Sequence, residues 1–184
     1  MDEITPDASS AFQDSLPTHP DDLCARLETL NLSFERLHHV PLRTVADSKQ
    51  VRDDMISAEA GGGHIKNLFV RDKKKQNFLA VIQEDREVDL KWLGQAMGAQ
   101  RLSFGSPDRL MEHLGVRPGA VTPLAMINGA AQNVHLALDA SLLTCQVIYM
   151  HPLVNDQTIA MAPSDLLHFL GDIGVTPQIL DFEA

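Results

Sequence analysis

Hydrophobic positions along this chain recur at helical spacing in some segments and alternate as in strands in others, so the two kinds of element are intermixed. Leu23, Leu27 and Leu30 share one face of a helix that begins at Pro20. Ser106-Pro107 and Gly115 are typical of a helix start and a helix end. The same reasoning predicts further helices at 44–55, from Asp89 to Gly98, at 107–114 and from Pro163 to Gly174. Strands are predicted at 33–40, 65–71, 78–82, 101–104, 125–128, 133–138, 145–149, 158–161 and 179–182.

The order of these elements favours an α+β fold. The runs within 65–82 read as two strands joined by the polar turn 73–77, which predicts an antiparallel hairpin. The runs within 133–149 are interpreted in the same way. No GxGxxG motif is present, which argues against a Rossmann-like arrangement. We therefore expect a single compact domain with a mixed, mostly antiparallel sheet flanked by helices.

Composition limits the kind of protein this is. Residues 1–20 are rich in Pro, Ser, Asp and Thr and are predicted to be loosely ordered, and residues 21–184 are predicted to form the domain. No apolar run is long enough to span a bilayer, and the acidic start does not resemble a secretory signal. The only cysteines, Cys24 and Cys145, lack disulfide or metal-binding spacing. These features predict a cytoplasmic protein with no membrane partner.

Charge is distributed unevenly along the chain. The net charge of −10 argues against broad electrostatic binding of nucleic acid. Eight of the fifteen lysines and arginines nevertheless fall between residues 43 and 75, which suits contact with only the end of a polynucleotide. Within that region, Lys73-Lys74-Lys75 is read as a solvated hairpin turn.

Lys66 is the first candidate functional residue. It follows the triple glycine 61–63, whose lack of Cβ atoms permits a sharp turn and a close approach to a ligand. Strand alternation places Lys66 on the same face as His64, Leu68 and Val70, an otherwise apolar face. A lone cation there could meet an anion at the rim of a pocket. Alternatively, its stem covers apolar surface and its ammonium group reaches water.

Two loops are the next candidates. Gly119 and Pro123 bracket Ala120, Val121 and Thr122 in a stiff segment whose amides cannot all be paired internally, so it could direct N–H groups at an oxyanion. The alternative is an ordinary connector.

The second candidate loop begins at His151. Pro152 restricts the backbone of this histidine at a strand end, which suits a positioned imidazole. A purely structural histidine is the alternative.

Several common chemistries lack their motifs. There is no GxSxG of a serine hydrolase, no GxxxxGK[ST] of a nucleotide-binding loop and no HExxH or paired spacing of a zinc site. No side-chain nucleophile is evident, and neither a metal nor a cofactor is predicted. If the protein is a hydrolase, the attacking group is therefore water acting on an ester that is already activated.

Five motifs occur in one order and together resemble the YbaK/prolyl-tRNA synthetase-associated domain family, and within it the free-standing alanyl-tRNA(Pro) deacylases. The resemblance covers roughly residues 20–184 and implies the compact mixed α/β fold of that family. In the family, a Lys-Asn pair, a GxxxP loop and an HPL histidine build the pocket, and they correspond here to Lys66, Asn67, Gly119, Pro123 and His151. The motifs are Lys66 to Lys74, Val88 to Lys91, Arg101 to Phe104, Gly119 to Pro123, and His151-Pro152-Leu153 with Asn155.

The resemblance implies a trans-editing enzyme that hydrolyses mischarged alanyl-tRNA(Pro), with the acceptor end of the tRNA as partner and prolyl-tRNA synthetase as a further one. Lys66 would pair with the terminal phosphate, Asn67 would orient the ester or the ribose, the 119–123 amides would hold the carbonyl and His151 would border the amino acid. Two alternatives stay open. One is a deacylase of the same family for cysteine, serine or threonine, and the other is a non-catalytic module that binds aminoacyl-tRNA or a synthetase.

Overall fold

Helices and strands of the computed structural model, which describes residues 5–184, follow the order expected from the hydrophobic pattern except at 125–128. The strands are β1 Phe34–His38, β2 Gly62–Arg71, β3 Asn77–Gln83, β4 Ser103–Phe104, β5 His135–Asp139, β6 Val147–Met150, β7 Gln157–Met161 and β8 Gln178–Leu180. The α-helices are α1 Pro20–Thr29, α2 Val45–Ser48, α3 Leu90–Ala96, α4 Pro107–Leu114, α5 Met126–Gly129 and α6 Pro163–Asp172. Short 3-10 helices occupy Ser10–Ser15, Ala58–Ala60, Pro123–Ala125 and Ala140–Thr144.

Local capping chemistry explains where the best predicted helices begin and end. The Ser106 hydroxyl accepts the Arg109 amide at 3.3 Å, and Gly115 ends α4 in the left-handed region at φ 64°. The Asp89 carboxylate accepts the amides of Lys91 and Trp92 at the start of α3. These helix ends are confirmed because each depends on residues next to it in sequence.

The strands form one mixed sheet, in the order β1-β7-β6-β2-β3-β5-β8, with β4 also paired to β2. β2 pairs antiparallel with β3 and with β4, and β7 pairs antiparallel with β1 and with β6. The β2–β6, β3–β5 and β5–β8 pairs are parallel. The predicted α+β class and the hairpin within 65–82 are confirmed.

The hairpin predicted within 133–149 is wrong. β5 lies between β3 and β8, whereas β6 lies between β2 and β7 on the other side of the sheet. The 3-10 helix Ala140–Thr144, capped by the Asp139 carboxylate, separates the two strands. The chain therefore crosses from one half of the sheet to the other instead of turning back on itself.

Two smaller predictions also fail. The strand predicted at 125–128 is the end of a 3-10 helix followed by α5, because the Thr122 hydroxyl caps the Leu124 amide and Pro123 opens the turn. The helix predicted at 44–55 has its capping box at Thr44 but ends at Ser48, and the residues after it form turns.

The sheet separates two hydrophobic cores. Along β3, Leu79 and Val81 point into the larger core, whereas Phe78, Ala80 and Ile82 point into the smaller one, as strand alternation requires. The larger core packs against α1, α4, α5 and α6, and the smaller core packs against α3 and the end of β8. Because both faces of the central strands are buried, their backbone provides a rigid frame for loops at the sheet ends.

Residues 8–16 pack against the domain more closely than the composition of the N-terminal segment predicts. Ala8 and Ser9 are buried, and a 3-10 helix runs from Ser10 to Ser15. The division of the chain at residue 21 stays a prediction. Within the described residues, no helix is both long and apolar enough to cross a membrane.

Candidate active site

A gap in the sheet lies along one edge of β2. β6 pairs with that strand only at residues 62–64, in parallel, and β4 pairs with it only at 70–71. Among the strands of residues 5–184, none pairs with the intervening stretch, 65–69, on this edge. The gap therefore leaves an opening in the sheet near the middle of its longest strand.

The backbone of Asn67 faces this gap. The His64 carbonyl accepts the Glu84 amide at 3.0 Å on the β3 side, whereas the Phe69 carbonyl accepts the Gly105 amide at 2.8 Å on the opposite edge. Backbone groups of alternate residues in a strand point the same way. Since Asn67 is two residues from Phe69, its N–H and C=O are directed to the open edge.

A cavity of about 260 Å³ occupies this region. Of the residues predicted from sequence, Lys66, Asn67, Gly119, Val121 and His151 line it. The other three predicted residues, Ala120, Thr122 and Pro123, are buried outside this lining. The remaining lining residues are Leu42, Arg43, Thr44, Val45, Ser48, Arg52, Met55, His64, Ile65, Glu84, Tyr149, Met150 and Thr158.

The Lys66 ammonium group is held at the edge of the cavity. Its Nζ donates a hydrogen bond to the backbone carbonyl of Arg86. The Arg86 side chain is itself fixed, since its Nε donates to the buried Asp139 carboxylate at 2.8 Å. An ammonium group has three N–H donors, so two remain for a ligand.

Asn67 carries an unsatisfied acceptor. Its side-chain Oδ1 is buried and has no hydrogen-bond partner among residues 5–184. Leaving such an acceptor unpaired costs about 1–3 kcal/mol. A ligand that donates a hydrogen bond at this point of the cavity would remove that cost.

The 119–123 loop divides into lining and supporting residues. The Ala120 amide is engaged, because it donates to the Arg117 carbonyl at 3.0 Å, and Pro123 has no N–H. The amides of Gly119 and Val121, both on the cavity wall, have no hydrogen-bond partner within the described part of the chain. Of the loop amides predicted to donate to an oxyanion, only those of Gly119 and Val121 therefore stay candidates. Gly119 adopts φ +94°, a conformation that favours glycine.

His151 presents a neutral imidazole. Burial lowers its pKa, and the hydrogen bond from its Nδ1 to the Gln157 carbonyl, 2.8 Å long, only partly opposes this. A carbonyl oxygen can only accept, so Nδ1 carries the proton and Nε2 is left as an acceptor. The His39 ring, which the sequence did not single out, lies 6.3 Å from the His151 ring and further disfavours a charge there.

The lowered pKa of His151 predicts a pH-dependent contribution to stability. Between that pKa and about 6.5, the value for unfolded histidine, the unfolded chain binds more protons, so the free energy of unfolding rises with pH. Relative to His151→Asn, the wild type should therefore lose stability as the pH falls below about 6.5. Urea unfolding at pH 7.5 and pH 5 measures this, with the exposed His168→Asn as control. Equal pH dependence of wild type and His151→Asn would contradict the assignment.

A buried ion pair that sequence reasoning missed closes one side of the cavity. Arg52 donates to both oxygens of the Glu84 carboxylate, at 2.6 and 2.5 Å, and the Glu84 side chain is only 3% exposed. The exposed pair of Lys49 and Asp85 lies nearby, at 2.6 Å. Lys49 and Arg52, two cations of the predicted basic region, are thus neutralised. Their ion pairs connect the segment after α2 to the end of β3.

The triple glycine serves the protein's own backbone. A Cβ on Gly62 would lie 2.0 Å from the Ile56 carbonyl oxygen, so only glycine fits there. That carbonyl accepts from His64 Nε2 at 2.8 Å, and the Ile56 amide donates to the Tyr149 hydroxyl at 2.7 Å. The close approach inferred from the sequence is therefore to residue 56, and it fixes the His64 and Tyr149 rings, which stack at 4.9 Å in the cavity wall.

The arrangement offers one lysine ammonium, free loop amides and an uncharged imidazole around a small cavity. Among residues 5–184, no group of three or more His, Cys, Asp or Glu side chains is placed to hold a metal ion. The chemistry available is thus recognition of an anion and stabilisation of charge that develops on a carbonyl oxygen.

Comparison with known proteins identifies the family of this chain. Residues 39–169 match the family model of the "Aminoacyl-tRNA editing domain". The Prolyl-tRNA editing protein ProX of Acetoanaerobium sticklandii is 31% identical over 143 residues, 77% of this chain and 84% of that protein. The Prolyl-tRNA synthetase associated domain-containing protein 1 of Danio rerio is 34% identical over 161 residues, 85% of this chain and 84% of that protein.

A fold comparison agrees with the sequence comparisons. The crystal structure of hypothetical protein APE2540 superposes with a TM-score of 0.68 over 86% of this chain and 97% of that one, at 20% sequence identity. At that identity the likeness concerns the fold alone. From the matched residues and the identities above, this chain belongs to the aminoacyl-tRNA editing domain family.

Proposed function

We propose that this protein is a trans-editing deacylase that hydrolyses the ester of mischarged alanyl-tRNA(Pro). The observation that carries the proposal is the convergence of Lys66, the 119–121 loop and His151 on one cavity of about 260 Å³. Family membership supports action on aminoacyl-tRNA, and the names of two relatives refer to prolyl-tRNA editing and to prolyl-tRNA synthetase.

Alanine is an amino acid that a proline-activating enzyme cannot strongly reject. A pocket shaped for proline also admits smaller side chains, and each missing methylene provides only about 1–3 kcal/mol of discrimination. A second site that admits a methyl group and excludes a pyrrolidine ring corrects this error. The Arg52–Glu84 pair lines the cavity and would bound the space left for the amino acid beside the terminal adenosine.

The proposed chemistry uses water as the nucleophile. The two free N–H donors of Lys66 bind the phosphate of the terminal adenosine. The amides of Gly119 and Val121 bind the carbonyl oxygen as it gains negative charge, and Asn67 orients the ester or the ribose. A ribose hydroxyl of the substrate positions the water, which removes the need for a protein base. The water oxygen bonds to the carbonyl carbon, the bond between that carbon and the ribose oxygen breaks, the ribose oxygen takes up the proton that the water loses, and free alanine and tRNA leave.

His151 borders the amino acid in this scheme. Its unprotonated Nε2 can accept a hydrogen bond from the substrate, and its neutral state avoids repulsion of the substrate's ammonium group. The proposed substrate implies two partners, the acceptor end of the tRNA and prolyl-tRNA synthetase as the source of the mischarged product. It also implies a cytoplasmic location.

A panel of charged tRNAs tests the proposal. Hydrolysis of tRNA charged with alanine, serine, cysteine, threonine and proline should be fastest for alanine and at least 100-fold slower for proline. A maximum at serine, cysteine or threonine would assign the site to another editing reaction of the family. Binding of alanyl-tRNA(Pro) without release of free alanine would identify a non-catalytic module.

A further inference from the structure

The N-terminal segment contacts the loops that form the cavity walls. The Ala8 carbonyl accepts the Asn155 amide at 2.8 Å. The Ser10 hydroxyl donates to the Asp156 carboxylate at 2.5 Å, and the Ser10 amide donates to both oxygens of the same carboxylate at 3.1 Å. We call residues 8–10 together with 155–156 the clasp. Residues 8–10 precede the family match, which begins at residue 39.

Asn155 connects the clasp to one wall of the cavity. It is 2% exposed, its backbone carbonyl accepts the Leu42 amide at 2.9 Å and its side-chain Nδ2 donates to the Leu42 carbonyl at 2.8 Å. Both backbone groups of Leu42, a lining residue, are thus held by one asparagine. The position of this wall therefore depends on where the backbone of Asn155 is held.

Asn155 also lies beside Gly119, a second lining residue. Its Nδ2 lies 3.4 Å from the position that a Cβ on Gly119 would take. One buried side chain therefore lies against both Leu42 and Gly119, two residues that line the cavity. A shift of Asn155 would change its contacts with both residues directly.

We propose that the N-terminal residues 8–10, acting through Asn155 and Asp156, hold the lining residues Leu42 and Gly119 in position and so determine which amino acid fits. This inference rests on the proposed function and assigns to the segment before the family domain a positioning role in its specificity. A functional site works only when its groups are held within about 0.5 Å of their productive positions. The residues that support the lining residues are therefore part of the site.

Ser10→Ala and Asp156→Asn test the clasp, with Thr18→Val as the matched control. Thr18 belongs to the same segment and its hydroxyl also makes one hydrogen bond, 2.6 Å to Asn128 Oδ1, but neither residue lines the cavity. The two readouts are hydrogen exchange at the Leu42 amide and the ratio of deacylation rates for alanyl- and prolyl-tRNA(Pro). Thermal melting of each variant separates loss of positioning from general loss of stability.

The clasp variants should speed exchange at Leu42 and lower the alanine-to-proline ratio, each at least fivefold, whereas Thr18→Val should change neither. Unchanged exchange, an unchanged ratio or an equal effect of Thr18→Val would overturn the clasp. The exchange readout is independent of activity. A wild type that releases no alanine would contradict the proposed function, while exchange at Leu42 would still decide whether the clasp holds that wall.

Discussion

Replacing Lys66 with methionine should lower the hydrolysis of alanyl-tRNA(Pro) about 100-fold and change the free energy of unfolding by about 1 kcal/mol or less. The variant keeps most of the stem and loses the ammonium group. A charge-assisted hydrogen bond to a phosphate contributes about 1.5–3 kcal/mol, which corresponds to roughly 10- to 100-fold in rate, and the long-range attraction is lost as well. In the free protein the substitution removes only the hydrogen bond to the Arg86 carbonyl.

The matched control is Lys74→Met, in the exposed hairpin turn between β2 and β3. Single-turnover deacylation and urea unfolding of both variants separate catalysis from stability. Lys74→Met should retain nearly full activity at moderate salt. Full activity of Lys66→Met would remove the phosphate role, and a large loss with Lys74→Met would move substrate recognition to the hairpin.

Gly119→Ala should also lower deacylation about 100-fold. At φ +94° an alanine is strained by about 1–2 kcal/mol. The added Cβ would lie 3.4 Å from Asn155 Nδ2 and 3.6 Å from the Leu42 carbonyl oxygen, which are ordinary van der Waals distances, so the strain comes from the backbone conformation. To relieve that strain the loop backbone must shift, which moves the Gly119 and Val121 amides away from the carbonyl oxygen, and loss of one such donor costs about 100- to 1,000-fold in rate.

Gly98→Ala is a control with the same kind of strain. Gly98 has φ +70°, ends α3 away from the cavity, and a Cβ there would meet no heavy atom within 4 Å. Both variants should lose comparable stability in urea, whereas only Gly119→Ala should lose deacylation. A similar rate for the two variants would show that the 119–121 amides do not act on the substrate.

Parts of the fold that depend on neighbouring residues could be predicted from the sequence. The ends of α3 and α4 follow from single capping side chains, and the β2–β3 hairpin follows from one polar turn. The arrangement of β5 and β6 could not, because their hydrophobic patterns are the same whether they pair with each other or with distant strands. Sheet order is decided by packing across the two cores, which the local pattern does not encode.

The candidate site divides in the same way. Lys66, Asn67, Gly119 and His151 lie in short motifs that carry the family resemblance, and the structure brings all four to one cavity. The Arg52–Glu84 pair joins residues 32 positions apart, and nothing around Arg52 marks it. Asn155 belongs to the motif that begins at His151, but its hydrogen bond to Leu42 spans 113 positions. Its connecting role is therefore visible only in the three-dimensional structure.

The triple glycine 61–63 permits a close approach, but the group that approaches it is not the one expected from the sequence. Glycine does permit close backbone approach, as the sequence suggested. The partner is the carbonyl of Ile56 and not a ligand, because that turn must pass within van der Waals distance of β2 to fix His64 and Tyr149. Which group approaches a glycine depends on a loop path that the sequence does not specify.

The most direct measurement is a crystal structure with a stable amide analogue of 3′-alanyl-adenosine monophosphate. We expect the alanyl group to lie in the gap beside β2, the phosphate to contact Lys66 Nζ, and the carbonyl oxygen to face the Gly119 and Val121 amides. An analogue bound outside this cavity, or bound within it with the Lys66 ammonium still directed only to the Arg86 carbonyl, would refute the proposed site.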